Sequence, residues 1–333
     1  MQTSVTQREK LLDRIYHINE KEFNTVAVDV ARYQYNTNKI YQQYCNLLGI
    51  SPLEVEVACQ MPFLPISMFK EHSMQSNIWE PEVIFQSSGT TGSKRSRHFV
   101  RDIKWYQANA LKTFDRFFGT PANYTWIALL PSYIENGDSS LISMVHSFMM
   151  MDKKEDSQFY PSVDDSMIDK LGQLFRSRTN TILIGVSFAL LDLFENYDVP
   201  VWNELLVVET GGMKGRSVEI TREELHARIK AKHPLLNVSS EYGMTELLSQ
   251  AYMINDHFRS AETMKIFTRD ISDPISLTVS GKRGCINIID LANIDTCSFI
   301  ATEDIGIAYE DGSFDVLGRL DAADIRGCNL LYA

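Results

Sequence analysis

The sequence predicts an α/β protein with mainly parallel sheets, followed by a small antiparallel β subdomain. Two observations predict it. Between residues 82 and about 240, short apolar runs alternate with helix-like runs, the pattern of βαβ units and a parallel sheet. After about residue 262 the runs are separated by Gly-containing turns, which suits antiparallel hairpins. The expected division is an α/β core with a helical N-terminal segment at 1–261 and a β subdomain at 262–333.

Taken in order, residues 6–48 place Leu11, Leu12, Ile15, Val26, Val30 and Tyr33 at helical spacing. Met61-Pro62-Phe63-Leu64-Pro65 breaks helix and reads as an extended connection. Strand-like runs follow at Val83–Phe85, Thr125–Leu130, Thr181–Ile184, Leu205–Val208 and Leu235–Val238. Helices are expected at 102–118, 138–151, 164–178, 187–196 and 221–232. His146 reads as an ordinary helix residue. The Met149-Met150-Met151 run suits either a core or an adaptable apolar pocket. The charge run at 152–156 reads as a solvated loop. Further on, Ile275–Val279, Cys285–Asp290 and Gly306–Tyr309 read as strands. Asp311-Gly312, ahead of Phe314-Asp315-Val316, signals a hairpin turn.

Bulk properties narrow the function. The chain has 333 residues, 44% hydrophobic and 23% charged, as soluble globular enzymes do. Its net charge of −11 argues against a general nucleic-acid partner, because phosphate backbones need a basic face. No apolar run reaches membrane-spanning length, and no secretory signal is read at the N-terminus. The five cysteines are scattered and lack CxxC spacing, which points to a reducing cytoplasm and away from disulfides or zinc.

The most informative run is Ser87-Ser88-Gly89-Thr90-Thr91-Gly92-Ser93-Lys94-Arg95-Ser96-Arg97-His98. Gly lets main-chain N–H groups approach a ligand, and successive amides in such a turn make an anion site. The hydroxyls, Lys94, Arg95 and Arg97 add donors and charge, and His98 is a further phosphate or carboxylate contact. The guest read from these residues is a polyphosphate. The spacing is not that of a Walker A loop. Glu209-Thr210-Gly211-Gly212-Met213-Lys214-Gly215-Arg216 follows a strand, where a Gly pair lets a flat ring lie against the backbone. In Glu241-Tyr242-Gly243-Met244-Thr245-Glu246, Tyr242 suits base stacking, Thr245 a phosphate and Glu246 Mg²⁺. Thr302-Glu303-Asp304-Ile305-Gly306 and Gly318-Arg319-Leu320-Asp321 close the series.

The order Ser-Ser-Gly-Thr-Thr-Gly, Glu-Tyr-Gly-Met-Thr-Glu, Glu-Asp-Ile-Gly and Gly-Arg-x-Asp resembles that of the adenylate-forming superfamily, over roughly residues 83–327. Ser96-Arg97-His98 with Asp102, Pro131-Ser132-Tyr133 with Asp138-Ser139-Ser140, and Glu209 to Arg216 look like the acyl-protein synthetases of bacterial luminescence operons (LuxE type). The resemblance implies the N-terminal core of an adenylate-forming enzyme, using ATP and Mg²⁺ to turn a fatty or other carboxylic acid into acyl-AMP. It implies that Ser87, Ser88, Thr90 and Thr91, with the amides of Gly89 and Gly92, hold the β- and γ-phosphates. Gly211, Gly212 and Tyr242 would flank adenine, with Glu241 and Gly243 also in the nucleotide site. Thr245 would contact the α-phosphate, Glu246 Mg²⁺ and Asp304 the ribose hydroxyls, with Arg319 near them. Cys328, beside Arg326, is the expected acyl acceptor, handing the chain to an acyl reductase or acyl carrier protein. Two departures stand out. Lys94 and Arg95 replace the usual Pro-Lys after the loop, and the match stops at Ala333, before the superfamily's C-terminal domain. Lys214 or Arg319 is then the expected cation at the reacting phosphate. A ligase using CoA or a carrier thiol, and a non-catalytic binding subunit, remain the alternatives.

Overall fold

The computed structural model describes residues 5–87, 94–130, 138–211 and 220–320. The N-terminal segment forms α1 (Gln7–Tyr16), α2 (Glu20–Thr37) and α3 (Lys39–Leu48). Each begins at a side chain that accepts first-turn amides: Thr6, Asn19 and Asn38. Gly49, at φ 67°, ends α3 in the left-handed conformation that Gly reaches without strain. Then come β1 (Leu64–Pro65), α4 (Met68–Glu71), β2 (Val83–Gln86), β3 (Arg97–Val100) and α5 (Ile103–Phe118).

Strand and helix next alternate. The elements are β4 (Thr125–Leu129), α6 (Ser140–Met149), β5 (Gln158–Tyr160), α7 (Asp165–Arg176) and β6 (Thr181–Val186). They continue with α8 (Ser187–Asn196), β7 (Leu205–Thr210), α9 (Arg222–Lys230) and β8 (Asn237–Tyr242). The remaining strands are β9 (Ala251–Ile254), β10 (His257–Ser260), β11 (Met264–Arg269), β12 (Arg283–Asp290), β13 (Phe299–Ala308) and β14 (Ser313–Arg319).

The chain clusters into two compact units. One comprises Met1–Asn109, Thr245–Ser249 and Arg259–Ala333; the other comprises Ala110–Met244 and Gln250–Phe258. They interleave along the sequence, a different division from the contiguous one expected at 261/262.

The second unit holds the parallel sheet, in the order β5-β4-β6-β7-β8, with β9 antiparallel to β8. β4, β6 and β7 are buried along their whole length, as strands covered on both faces must be. Phe114, Trp126, Phe148 and Tyr252 form an aromatic core, with Phe114 5.1–5.8 Å from the other three rings. Of the methionine run only Met149 is buried, while Met150 is 73% exposed. Within the 152–156 run, Asp152 is buried and accepts from Lys154 N, Asp156 N and Ser157 Oγ. That run is therefore an ordered turn built on one acid rather than a merely solvated loop.

The first unit contains the antiparallel set β11-β12-β13-β14, with β1 parallel to β13. The β13–β14 turn is the expected one: Gly312 has φ 77°, and Asp311 Oδ1 accepts Ser313 N at 3.0 Å. Ile275–Val279 differs from expectation. It is reduced to one antiparallel bridge, Leu277 against Arg269, with Ile275 and Val279 exposed, and the strand beside β12 is Met264–Arg269. β2 and β3 pair antiparallel as a separate ribbon. The N-terminal helices brace the loop after β12. Gln34 bonds Asn293 O, Ile294 O, Ser298 Oγ and Ser298 N, and Arg8 pairs with Asp295 through two bonds of 2.6 Å.

Among the described residues, no helix is long and apolar enough to cross a membrane.

Candidate active site

The candidate residues fall into two sets, one in each unit. In the first unit the β2–β3 ribbon continues by one pair. Ser87 N donates to Ser96 O at 3.1 Å, and Ser96 N donates to Ser87 Oγ at 3.0 Å. These bonds bring together the two chain ends that flank residues 88–93. Ser88, Gly89, Thr90, Thr91 and Gly92 lie outside the described residues. Lys94 and Arg95 face solvent, with Lys94 paired to Glu71 at 2.6 Å.

Ser96 is itself buried and hydrogen-bonds the Glu246 side chain. Burial lifts the Glu246 carboxyl above its ordinary range; the Ser96 hydroxyl and the Arg319 and Lys70 cations pull the other way. A buried acid that gains from nearby positive charge is a fitting single carboxylate for Mg²⁺, which completes its shell with phosphate oxygens and water. The described residues hold no group of three or more His, Cys, Asp or Glu that could bind a metal without such help.

Thr245, beside Glu246, is half-buried. Its carbonyl accepts from His98 Nδ1 at 2.8 Å, while His98 Nε2 meets Thr296 Oγ1 at 3.1 Å. A carbonyl only accepts, so Nδ1 carries the proton. His98 is wholly buried with both ring nitrogens engaged. His98, expected at a phosphate or carboxylate, here grips the backbone of the Thr245–Glu246 turn.

Asp304, 6% exposed, sits opposite Arg319 on the β13–β14 ladder. Arg319 Nε lies 3.1 Å from Asp304 Oδ1. The guanidinium thus serves two carboxylates, by contact with Asp304 and by its field at Glu246.

In the second unit, Glu209, Thr210 and Gly211 lie at the carboxyl end of β7, and Glu241 and Tyr242 at that of β8. Ligands bind at the carboxyl ends of strands in open parallel sheets. Thr210 is in register with Glu241, and its Oγ1 donates to Glu241 Oε2 at 2.7 Å. Burial pushes the Glu241 carboxyl up to about 7; the Thr210 hydroxyl opposes this, and nearby Glu209 adds to it. Ser187 Oγ donates to Glu209 Oε1 at 2.5 Å, and Arg222 Nε lies 3.8 Å from Glu209 Oε2. A Cβ on Gly243 would run into Glu241 Oε1, so a side chain here must displace that carboxylate. Gly211 is exposed, with open space where a side chain would begin. The Tyr242 ring is largely buried, 5.9 Å from Phe258. Gly212, Lys214 and Cys328 lie outside the described residues.

Three residues that shape the site escaped the sequence reading: Ser96 as a Glu246 partner, Asn293 and Asp290. Asn293 Nδ2 donates to Glu246 O across 47 residues, and Asp290 binds the same turn across 42. No local spacing signals a bond that long in sequence.

This is the fold of an adenylate-forming enzyme core. The chain superposes on 2-hydroxyisobutyryl-CoA ligase in complex with 2-HIB-AMP and CoA, with a TM-score of 0.66 and 12% identity, over 93% of this chain and 71% of that one. It also superposes on ATP-bound MatB from Rhodopseudomonas palustris, with a TM-score of 0.52 and 19% identity, over 73% of this chain and half of that one. In sequence it is similar to the long-chain-fatty-acid–luciferin-component ligase of Vibrio harveyi, 23% identical over 336 residues, 90% of this chain and 84% of that one. No protein-family model matches the chain.

Proposed function

We propose that the protein activates a carboxylic acid, most simply a fatty acid, as acyl-AMP at the expense of ATP, and passes the acyl group to a thiol, its own Cys328. The observation that carries this reading is the grouping of Glu246, Ser96, Arg319 and Asp304 in one unit, with Arg319 acting on both carboxylates. The similarity to a fatty-acid ligase and the adenylate-forming fold support it.

In this reaction a carboxylate oxygen attacks the α-phosphorus and pyrophosphate leaves. Two anions must meet, so positioned donors and cations supply most of the stabilisation. Thr245 offers its hydroxyl to the α-phosphate. Asp304 accepts from the ribose hydroxyls, and Arg319 orients Asp304 through its Nε contact. Glu246 and the phosphates would hold Mg²⁺, which when bound offsets the gathered negative charge. In the second step the Cys328 thiolate attacks the acyl carbonyl, a C–S bond forms, and AMP leaves with the electrons of the broken C–O bond. An acyl reductase or carrier protein would receive the product. The four described cysteines are free thiols, which suits a reducing cytoplasm.

Intact-protein mass after incubation with ATP, Mg²⁺ and a panel of fatty acids tests this. The expected result is a hydroxylamine-labile acyl adduct on the wild type that Cys328→Ser lacks. AMP released only when CoA or a carrier thiol is added would point to an external acceptor. No AMP with any acid would overturn the reading.

A further inference from the structure

The turn Thr245–Ser249 carries the two side chains on which phosphate handling depends, yet it lies in no helix or strand. Its backbone is held by side chains. His98 Nδ1 donates to Thr245 O at 2.8 Å, Asn293 Nδ2 to Glu246 O at 2.8 Å, and Asn109 Nδ2 to Leu248 O at 2.7 Å. Leu248 N and Ser249 N both donate to Asp290 Oδ2, at 2.8 and 3.0 Å. All four of these side chains are buried.

Asp290 is the centre of this set. Its second oxygen accepts from Ser249 Oγ at 2.6 Å and from Ala292 N at 3.0 Å, so four donors converge on one carboxylate. A carboxylate offers acceptors on both oxygens; an amide would turn an NH₂ toward an N–H. We propose that Asp290 is a positioning residue: by fixing the Leu248 and Ser249 amides it sets the course of the turn and so aims Thr245 and Glu246. This rests on the reading of Thr245 and Glu246 as the phosphate and magnesium partners. Asp290 lies at the end of β12, outside the motifs read from the sequence, so its role is argued from geometry alone.

Full-length Asp290→Asn is compared with Leu11→Ala, a core change on α1 that lowers stability away from the turn. Two readouts are taken where both variants are folded: amide hydrogen exchange of peptides spanning 244–250, and acid-dependent ATP–pyrophosphate exchange. Asp290→Asn should lose protection in those peptides at least tenfold beyond Leu11→Ala. Its kcat should fall by roughly 10²-fold, more than the KM for ATP rises, as for misaimed catalytic groups. Protection no weaker than in Leu11→Ala, or a wild-type kcat, overturns the proposal. If the wild type exchanges with no acid, the proposed function fails, and the protection pattern alone decides the role of Asp290. Should Asp290→Asn not fold, Ser249→Ala removes the hydroxyl that donates to Asp290 Oδ1 and also meets Thr263 Oγ1 and Asn109 Nδ2; a kcat drop of several-fold supports the proposal, and an unchanged kcat with unchanged protection overturns it.

Discussion

Arg319 and Asp304 face each other directly across the β13–β14 ladder, with Nε 3.1 Å from Oδ1. The partners are unequally placed: the Arg319 side chain is 63% exposed and that of Asp304 only 9%. Ion pairs with one exposed partner add little to stability, about 0–1 kcal/mol. Arg319→Met should therefore leave the melting temperature nearly unchanged while lowering acid-dependent AMP formation. Asp304→Ala should raise the KM for ATP about ten- to a hundredfold, the loss of one or two charge-assisted hydrogen bonds. A large drop in stability for Arg319→Met with normal activity would assign the pair to folding instead.

Glu241 gives a pH signature of its own. Its carboxyl is pushed from 4.5 to about 7 in the folded chain, first by burial. The folded state holds a proton that the unfolded state gives up. Its contribution is fully present below pH 4.5 and is lost as pH rises through 7. Glu241→Gln does not titrate, so it should gain on the wild type over that window, by about 3 kcal/mol at most. Urea unfolding at pH 4.5 and 7.5 reads the difference; a gap that does not change with pH contradicts it.

His98 should behave with the opposite sign. Burial pushes its imidazole down to about 4, with the Thr245 carbonyl opposing. The neutral ring is the folded form, so its contribution is complete above pH 6.5 and disappears as pH falls through 4. The stability deficit of His98→Gln should be largest near pH 7.5 and shrink toward pH 4.5. A deficit that grows on acidification would mean that the ring is held protonated.

Gly243 is tied to Glu241 by space. A methyl group there would meet Glu241 Oε1 and disturb the Thr210–Glu241 bond. Gly243→Ala should cost about 1–3 kcal/mol, the usual penalty for disturbing a buried polar contact. Adding Glu241→Ala should remove most of the extra cost in a double-mutant cycle. Simple additivity would place the strain elsewhere.

What the sequence revealed, and what it hid, follows from the range of the interactions. The alternation from Thr125 to Tyr242 was legible because strands buried on both faces read as continuous apolar runs, and Asp311-Gly312 because turn chemistry is local. The β9–β10 turn was not, since Asn255 and Asp256 take positive φ there without a glycine to announce it. Leu235, expected to open a strand, is 97% exposed, and β8 begins two residues later. Motif order pointed to Glu246, Asp304 and Arg319. The bonds of His98 to Thr245 O and Thr296 Oγ1 were not legible, because a histidine beside a phosphate loop and one buried against a carbonyl are identical in one dimension. The turn-holding set of His98, Asn109, Asp290 and Asn293 exists only in the fold.

The most direct test of the central claim is ATP–pyrophosphate exchange with a panel of acids from short to long chain, for wild type and Glu246→Gln. The account predicts exchange that requires an added acid and falls at least 10²-fold in the variant, the scale of losing one charge-stabilising group at a reacting phosphate. Exchange without acid, exchange with none, or an unimpaired Glu246→Gln would contradict it.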